Sequence, residues 1–179
     1  MRDLKVKSLP DYATCIKLLF HYSTPCNVIN HVIFTTQTAL KISRYLKTNE
    51  ININCEIVLA GSMIHDLGRC KTHQLDHGVI GAQILREMDF PEVLAQIAEN
   101  HLFAGISSEE AGEFGLPAKN YIPSTLEEKI ITYADNVSKR DSILTTKEVI
   151  NRFSKYFDIS HPIIVRVIVL HKEIEDLLE

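Results

Sequence analysis

The sequence predicts an all-α fold, a single domain of helices wrapped round one buried central helix. Three observations carry that expectation. The run Ile57-Val58-Leu59-Ala60-Gly61-Ser62-Met63-Ile64 is apolar or small on every side, so no exposed face can be drawn on it. Elsewhere apolar residues recur at helical spacing, while strand signals are nearly absent. With 179 residues, 45% of them hydrophobic, the chain is long enough for one sizeable core and too apolar for disorder.

In chain order, Asp11 to His21 reads as a short helix carrying Tyr12, Cys15, Ile16, Leu19 and Phe20 on one side, broken by Ser23-Thr24-Pro25. A longer helix from about Pro25 to Leu46 has a stripe of Val28, Ile29, Val32, Ile33, Thr36, Ala39, Leu40 and Ile42. Residues 49–54 form a polar link. The central segment follows, with Asn54 as its cap, Glu56 in its first turn and Gly68 at its end. Arg69 to Leu75 is a loop rich in donors. Asp76 is placed to cap a helix from His77 to about Asp89, and Pro91 opens another to about His101. Residues 103–123 form a long Gly/Pro-rich connection with one helical turn at Ser108 to Phe114, the kind of segment that often serves as a lid or binding loop. Ser124 and Glu127 make a capping-box pattern that opens a helix through Lys139. Two further helices span Thr146 to Phe157 and Pro162 to Leu178, the last capped by Ser160, and pack on the core as part of the same domain, 1–179.

Several function classes are disfavoured. The net charge of −4 gives no basic footprint for nucleic acid. No apolar run reaches membrane-spanning length, and residues 1–7 lack the apolar core of a signal peptide, so a cytoplasmic location is expected. Cys15, Cys26, Cys55 and Cys70 are scattered without a CxxC pair and read as buried small hydrophobes in a reducing compartment.

The informative residues are polar ones that interrupt apolar stripes. His65 and Asp66 stand at the end of the central segment, where the pattern predicts core, and a buried carboxylate is costly unless something compensates it. A metal ion is the economical candidate. His77 lies three residues before Ile80 and four before Gly81, and His101 four after Ile97 and three after Ala98, so both point inward at helix ends. Asp135 sits at the edge of the face made by Leu126, Ile130, Ala134 and Val137, a second carboxylate directed at a core. One inward histidine is ordinarily a satisfied core residue; several, with two carboxylates, suit a divalent first-row metal. His161 and His171 read as surface residues, His21 as a helix end, and His73 as a member of the donor loop within reach of a substrate.

This set resembles the HD superfamily of metal-dependent phosphohydrolases: a His on an early helix (His31), an adjacent His-Asp pair after an apolar helix (His65-Asp66), and a later Asp (Asp135). Leu59 to Gly68 is similar to the family's central motif and Glu127 to Asp135 to its last one. The resemblance covers roughly Asn27 to Arg140 and implies an HD-type helical bundle. The additional His77 and His101 resemble subfamilies with two metals, among them hydrolases that split diadenosine tetraphosphate and cyclic-dinucleotide phosphodiesterases. The resemblance then implies that His31, His65, Asp66 and Asp135 hold one ion, with Asp66 bridging to a second held by His77 and His101. Arg69 departs from the Lys of many members, and the GYP signature of the cyclic-dinucleotide enzymes is missing. The region from His101 through Pro117 looks most like a group of small stand-alone archaeal-type HD proteins.

The expected function is a metal-dependent phosphohydrolase acting on a phosphomonoester, nucleotide or dinucleotide polyphosphate. One or two divalent ions are expected, with Fe or Mn favoured over Ni, Co, Zn and Mg. A cation held by neutral imidazoles and carboxylates acidifies water toward neutral pH, the expected nucleophile at phosphorus. Asp66, Arg69 and Lys71 are the candidate catalytic residues; Arg69, Lys71, His73, Asn136 and Arg140, with Lys139 beside it, are candidates for holding the substrate. Glu109 and Glu110 read as a solvated face. The competing reading is a non-catalytic, nucleotide-sensing regulatory module that retains the metal. The expected partner is a small phosphorylated substrate, with a homodimer left open and neither membrane nor nucleic acid favoured.

Overall fold

A computed structural model describes residues 8–140 and 142–179; residues 1–7, where the reading of a missing signal peptide falls, lie outside the described residues. The all-α expectation holds. In order the elements are α1 (Tyr12–His21), α2 (Cys26–Thr48), α3 (Cys55–Ile64), a 3-10 turn (Leu67–Cys70), α4 (His77–Glu87), α5 (Glu92–Asn100), α6 (Ser108–Glu113), α7 (Leu126–Val137), α8 (Thr146–Phe153) and α9 (Pro162–Asp176). α3 is the central helix: α1, α2, α5 and α7 all pack on it. Val58, Ala60, Met63 and Ile64 are completely buried. Among the described residues no helix is long and apolar enough to cross a membrane.

Helix starts follow side-chain chemistry. Asp11 accepts from the Thr14 amide at 2.8 Å, and Asn54 accepts from the Glu56 and Ile57 amides at 3.0 and 3.2 Å, as expected. The box at α7 is shifted by one residue: Thr125 and Glu128 form it, and Ser124 donates its amide and hydroxyl to the same Glu128 carboxylate. Asp76 makes no side-chain cap at α4. α9 is capped by His161, whose Nδ1 accepts from the Ile163 amide, and not by Ser160.

α7 ends at Val137, two residues earlier than the pattern suggests, because Ser138–Lys139 and Ser142–Ile143 pair as a minimal antiparallel ladder. The long connection is ordered: Ile106 and Tyr121 exchange both backbone hydrogen bonds, at 3.1 and 2.8 Å, over a small cluster of Leu102, Ala111 and Leu116. Arg166 of α9 ties it down by donating to the Gly105 carbonyl and pairing with Glu110. Glu110 is therefore buried in a capping box and an ion pair, while Glu109 is exposed as expected. Cys15 alone of the cysteines is fully buried; all four thiols are free.

His171 corrects the surface reading. It is fully buried between α7 and α8, with Nδ1 2.8 Å from the Thr146 hydroxyl and its ring 4.7 Å from that of Tyr133. It lies on the face that places Val167, Leu170 and Ile174 in the core, a periodicity obscured by exposed Val165, Ile168 and Val169 on the opposite side.

The 3-10 turn and α4 meet unusually closely. A Cβ on Gly68 would lie 1.9 Å from the His77 carbonyl oxygen and 2.6 Å from the Gly81 amide nitrogen. Gly78 in turn faces the Ala98 carbonyl of α5 with only 2.7 Å for a Cβ. Gly68 does not end the central helix, which stops at Ile64; it lies within the 3-10 turn and lets that turn approach the start of α4 backbone to backbone. Gly68→Ala is expected to destabilise the fold by roughly 3 kcal/mol or more, read as a fall in Tm of roughly 6–12 °C; an unchanged Tm contradicts this account.

His171 also predicts a pH dependence. Burial, helped by the charge of Arg152, pulls its pKa down from 6.5 to about 4. Unfolding restores the normal value, so the unfolded chain binds the extra proton and stability falls as pH drops from 6.5 toward 4. The loss reaches up to about 3 kcal/mol below that window and vanishes above it. In denaturant titrations at pH 7.5 and 4.5, His171→Gln is expected to show the smaller stability difference.

Candidate metal centre

Five elements deliver the six candidate ligands to one point. His31 comes from α2, His65 and Asp66 from the end of α3, His77 from the first residue of α4, His101 from the end of α5 and Asp135 from the last turn of α7. The helical stripes explain this: His65, Asp66, His77, His101 and Asp135 carry a face to or near an element's end, and these ends meet the second turn of α2, which supplies His31. His65, Asp66, His77 and His101 are buried; His31 and Asp135 are partly exposed and form the mouth.

The Asp66 carboxylate stands in the middle. Its Oδ1 faces His77 Nε2 at 3.1 Å and His101 Nε2 at 3.5 Å. Its Oδ2 faces His31 Nε2 and His65 Nε2, each at 3.9 Å, and accepts from Arg69 Nε at 2.6 Å. Asp135 Oδ1 lies 2.7 Å from His31 Nε2 and 3.5 Å from His65 Nε2. Two groups of ligand atoms are close enough to share an ion: His31, His65 and Asp135, and His65, Asp66 and His101.

Three imidazoles are oriented alike. His65 Nδ1 lies 2.8 Å from the Ser62 carbonyl, His77 Nδ1 2.6 Å from that of Gln74, and His101 Nδ1 2.9 Å from that of Ala98. A carbonyl only accepts, so each Nδ1 carries a proton and each ring turns its Nε2 toward Asp66. The Nε2 atoms of His77 and His101 then oppose one another at 3.1 Å with no proton between them. His65 Nε2 and Asp66 Oδ1 are buried without a hydrogen-bond partner among the described residues. Converging ring nitrogens and orphaned buried polar atoms fit a divalent cation bound through imidazole nitrogen and carboxylate oxygen.

Other buried carboxylates are compensated conventionally. Glu99 holds Arg86 and Lys119, each at 2.7 Å, and Glu128 takes backbone amides of residues 124 and 125. Asp66 and Asp135 face imidazoles instead. Burial raises both carboxyl pKa values, but His65 beside Asp66, and His31 and His65 beside Asp135, more than offset it and hold both well below the usual range. Burial pulls His65 down, yet Asp66 and Asp135 lift it to about 9. Burial lowers His101, keeping it neutral.

A cavity of about 270 Å³ opens on His31, His77, His101 and Asp135, with Arg69, Asn136, Phe103 and Phe153 in its walls. Asn136 is committed to the fold, its side-chain amide donating to the Phe103 carbonyl. His73 is exposed on the rim of a neighbouring cleft shared with His31, Asp66 and Arg69. Lys71, Lys139 and Arg140 are exposed and line neither of these two cavities. Arg152 and Ser138, in the wall of the first cavity, escaped the sequence reading, since nothing in the periodicity of α8 marks one polar residue as inward-facing.

Residues 28–140 match the HD domain family. The chain belongs to it. This HD protein is 44% identical over 153 residues to an uncharacterized protein of Methanocaldococcus jannaschii, covering 86% of this chain and 90% of that one. It is 38% identical to a tRNA (cytidine(56)-2'-O)-methyltransferase of Thermoplasma volcanium over 86% of this chain, and 33% identical to one of Picrophilus torridus over 96%. It spans 44% and 48% of those two chains, less than half of each. In structure it is similar to the HD domain of the L. monocytogenes phosphodiesterase PgpH, with a TM-score of 0.52 at 18% identity over 94% of this chain and all of that one. The helical architecture is thus the HD fold, and the HD protein falls in the metal-dependent phosphohydrolase class.

The raised His65 pKa makes metal binding proton-linked. At pH 7 the metal-free centre holds a proton on His65 that an entering cation must displace. Calorimetry in buffers of different ionisation enthalpy is expected to show release of about one proton on filling the ion position that uses His65, and affinity there rising roughly tenfold per pH unit from 7 toward 9. Proton-independent binding would contradict the assigned protonation.

Proposed function

We propose that this HD protein hydrolyses a phosphomonoester, nucleotide or dinucleotide polyphosphate, using two divalent ions on either side of Asp66. The observation that carries this reading is that the two oxygens of Asp66 face different sets of ligands, His77 and His101 on one side and His31 and His65 on the other. His31, His65, Asp66 and Asp135 would hold the first ion and His77, His101 and Asp66 the second. Iron or manganese suits this nitrogen–oxygen donor set best, with Ni, Co, Zn and Mg as weaker candidates. Residues 146–178 belong to the same domain in this reading.

Bound cations supply Lewis acidity, acidifying water toward neutral pH and neutralising phosphoryl charge. The chain's own residues do the rest. The three Nδ1 hydrogen bonds keep the rings aimed, so no reorganisation is needed as substrate arrives. Arg69 steadies Asp66 through its 2.6 Å contact and keeps its remaining donors toward the cavity mouth. His73 at the rim, Asn136 in the wall, and Lys71 and Arg140 outside it are the further candidates for substrate contact, the last two only if their exposed chains fold inward.

A nucleotide substrate is supported by the PgpH HD domain, whose structure in complex with cyclic-di-AMP has a TM-score of 0.52 to this chain. The methyltransferase name belongs to chains of which this one spans under half and plays no part in the reading.

Asp66→Ala is expected to lose both bound metal and turnover while keeping its helical circular dichroism, because α3 does not depend on this side chain. His101→Ala is expected to lower the metal-to-protein ratio from two toward one without emptying the centre. Full turnover by metal-free protein would end the hydrolase reading, and an unchanged ratio in His101→Ala would end the two-ion reading. Nucleotide binding without product, across Mn, Fe, Co, Ni and Mg, would favour the sensing module.

A further inference from the structure

Arg152 is a cationic cavity-wall residue close enough to Asp135 to feel its charge, yet it forms no ion pair among the described residues. It projects from α8 with Nη2 donating to the Asn136 carbonyl at 2.9 Å and its guanidinium 4.7 Å from the Phe153 ring centroid. Among the described residues no carboxylate forms an ion pair with it, and its Nε is buried without a hydrogen-bond partner. Arg69, the other guanidinium in this cavity, spends its Nε on Asp66. A second orphan lies in the same wall: Ser138, 4% exposed, whose hydroxyl is buried and also lacks a partner. Ser138 directly follows the last residue of α7, and Arg152 bonds the carbonyl two residues before it, so the backbone brings the two donors to one place.

A part-buried guanidinium with an unpartnered Nε and a buried hydroxyl without a partner are each costly. Set in the wall of the cavity that holds the candidate metal ligands, they are complementary to an anion with several acceptor oxygens. We propose that Arg152 and Ser138 form a phosphoryl-binding subsite in the wall of the cavity on which the metal centre opens. The proposal rests on the phosphohydrolase reading for what the bound group undergoes, though not for its binding. Phe103 and Phe153 flank the same space, giving an apolar wall beside the phosphate, and about 270 Å³ limits the ligand held inside to roughly one nucleotide unit. Arg152 also lines the adjoining cleft with Lys139, Lys155 and Glu148, so a longer phosphate chain would meet three cations and one carboxylate there.

The test is inorganic phosphate binding to Mn-loaded protein by calorimetry, alongside metal content and Tm, for wild type, Arg152→Ala, Arg152→Lys and Ser138→Ala. Arg152→Ala is expected to weaken phosphate roughly 10- to 100-fold, Arg152→Lys to recover part of that loss, and Ser138→Ala to weaken it several-fold, all with wild-type metal content. With a turned-over nucleotide, Arg152→Ala is expected to raise KM more than it lowers kcat. Phosphate affinity unchanged in Arg152→Ala, no phosphate binding by wild type, or a loss accompanied by loss of metal or a large fall in Tm would each overturn the subsite. If Arg152→Ala does not fold, unchanged affinity in both Arg152→Lys and Ser138→Ala overturns it. Arg152-dependent phosphate binding without any turnover would sink the hydrolase reading and leave the subsite standing; turnover with Arg152-independent binding would do the reverse.

Discussion

The buried carboxylate of Asp66 governs the arrangement of everything near it. Charge in an apolar interior must be met by opposite charge or by directed donors. Here one arginine supplies part of that need and the remaining acceptor faces two imidazole lone pairs, which are themselves electron-rich. Such a cluster does not balance on its own protons: the carboxylates force one onto His65, while the tautomers of His77 and His101 leave none between those two rings. A cation resolves both conflicts at once. The same helix ends that would be a packing defect in an inert bundle become a binding site.

The packing around α3 makes that concentration of polarity tolerable. Four helices cover its sides with apolar residues, and the ligands open on two neighbouring cavities that share His31 and Arg69. Close backbone approach at Gly68 and Gly78 draws the 3-10 turn, α4 and α5 together. Without it His77 and His101 could not reach an oxygen of the carboxylate that ends α3. Distance economy in the backbone and charge economy in the side chains are therefore one design constraint.

Much of this was legible from residue order. The all-round apolar run identified α3, and polar residues continuing buried stripes identified His77, His101 and Asp135, because a helical period states which way a side chain points without naming a neighbour. Where long-range contacts decide, the pattern was silent. His171 has an apolar stripe on either side of it, and only the docking of α9 on α7 and α8 selects the buried one. The ladder after Val137 depends on a two-residue pairing too short to leave a periodicity. Arg152 looked like any charged residue on an amphipathic helix, and its inward position follows from the contact with Asn136. Caps were misplaced by one residue at α7 and α9 because neighbouring Ser, Thr and His are chemically competent for the same role.

Each of the three carbonyls that orient His65, His77 and His101 lies three residues earlier in the same stretch of chain. The direction of every one of these rings is therefore written within four consecutive residues and needs no distant helper. Drift elsewhere in the bundle can carry a ring along with its own peptide segment, but cannot easily spin it. Evolution on this scaffold is free to rework walls, rim and exit while the inward aim of the nitrogens is inherited as a local habit of the backbone.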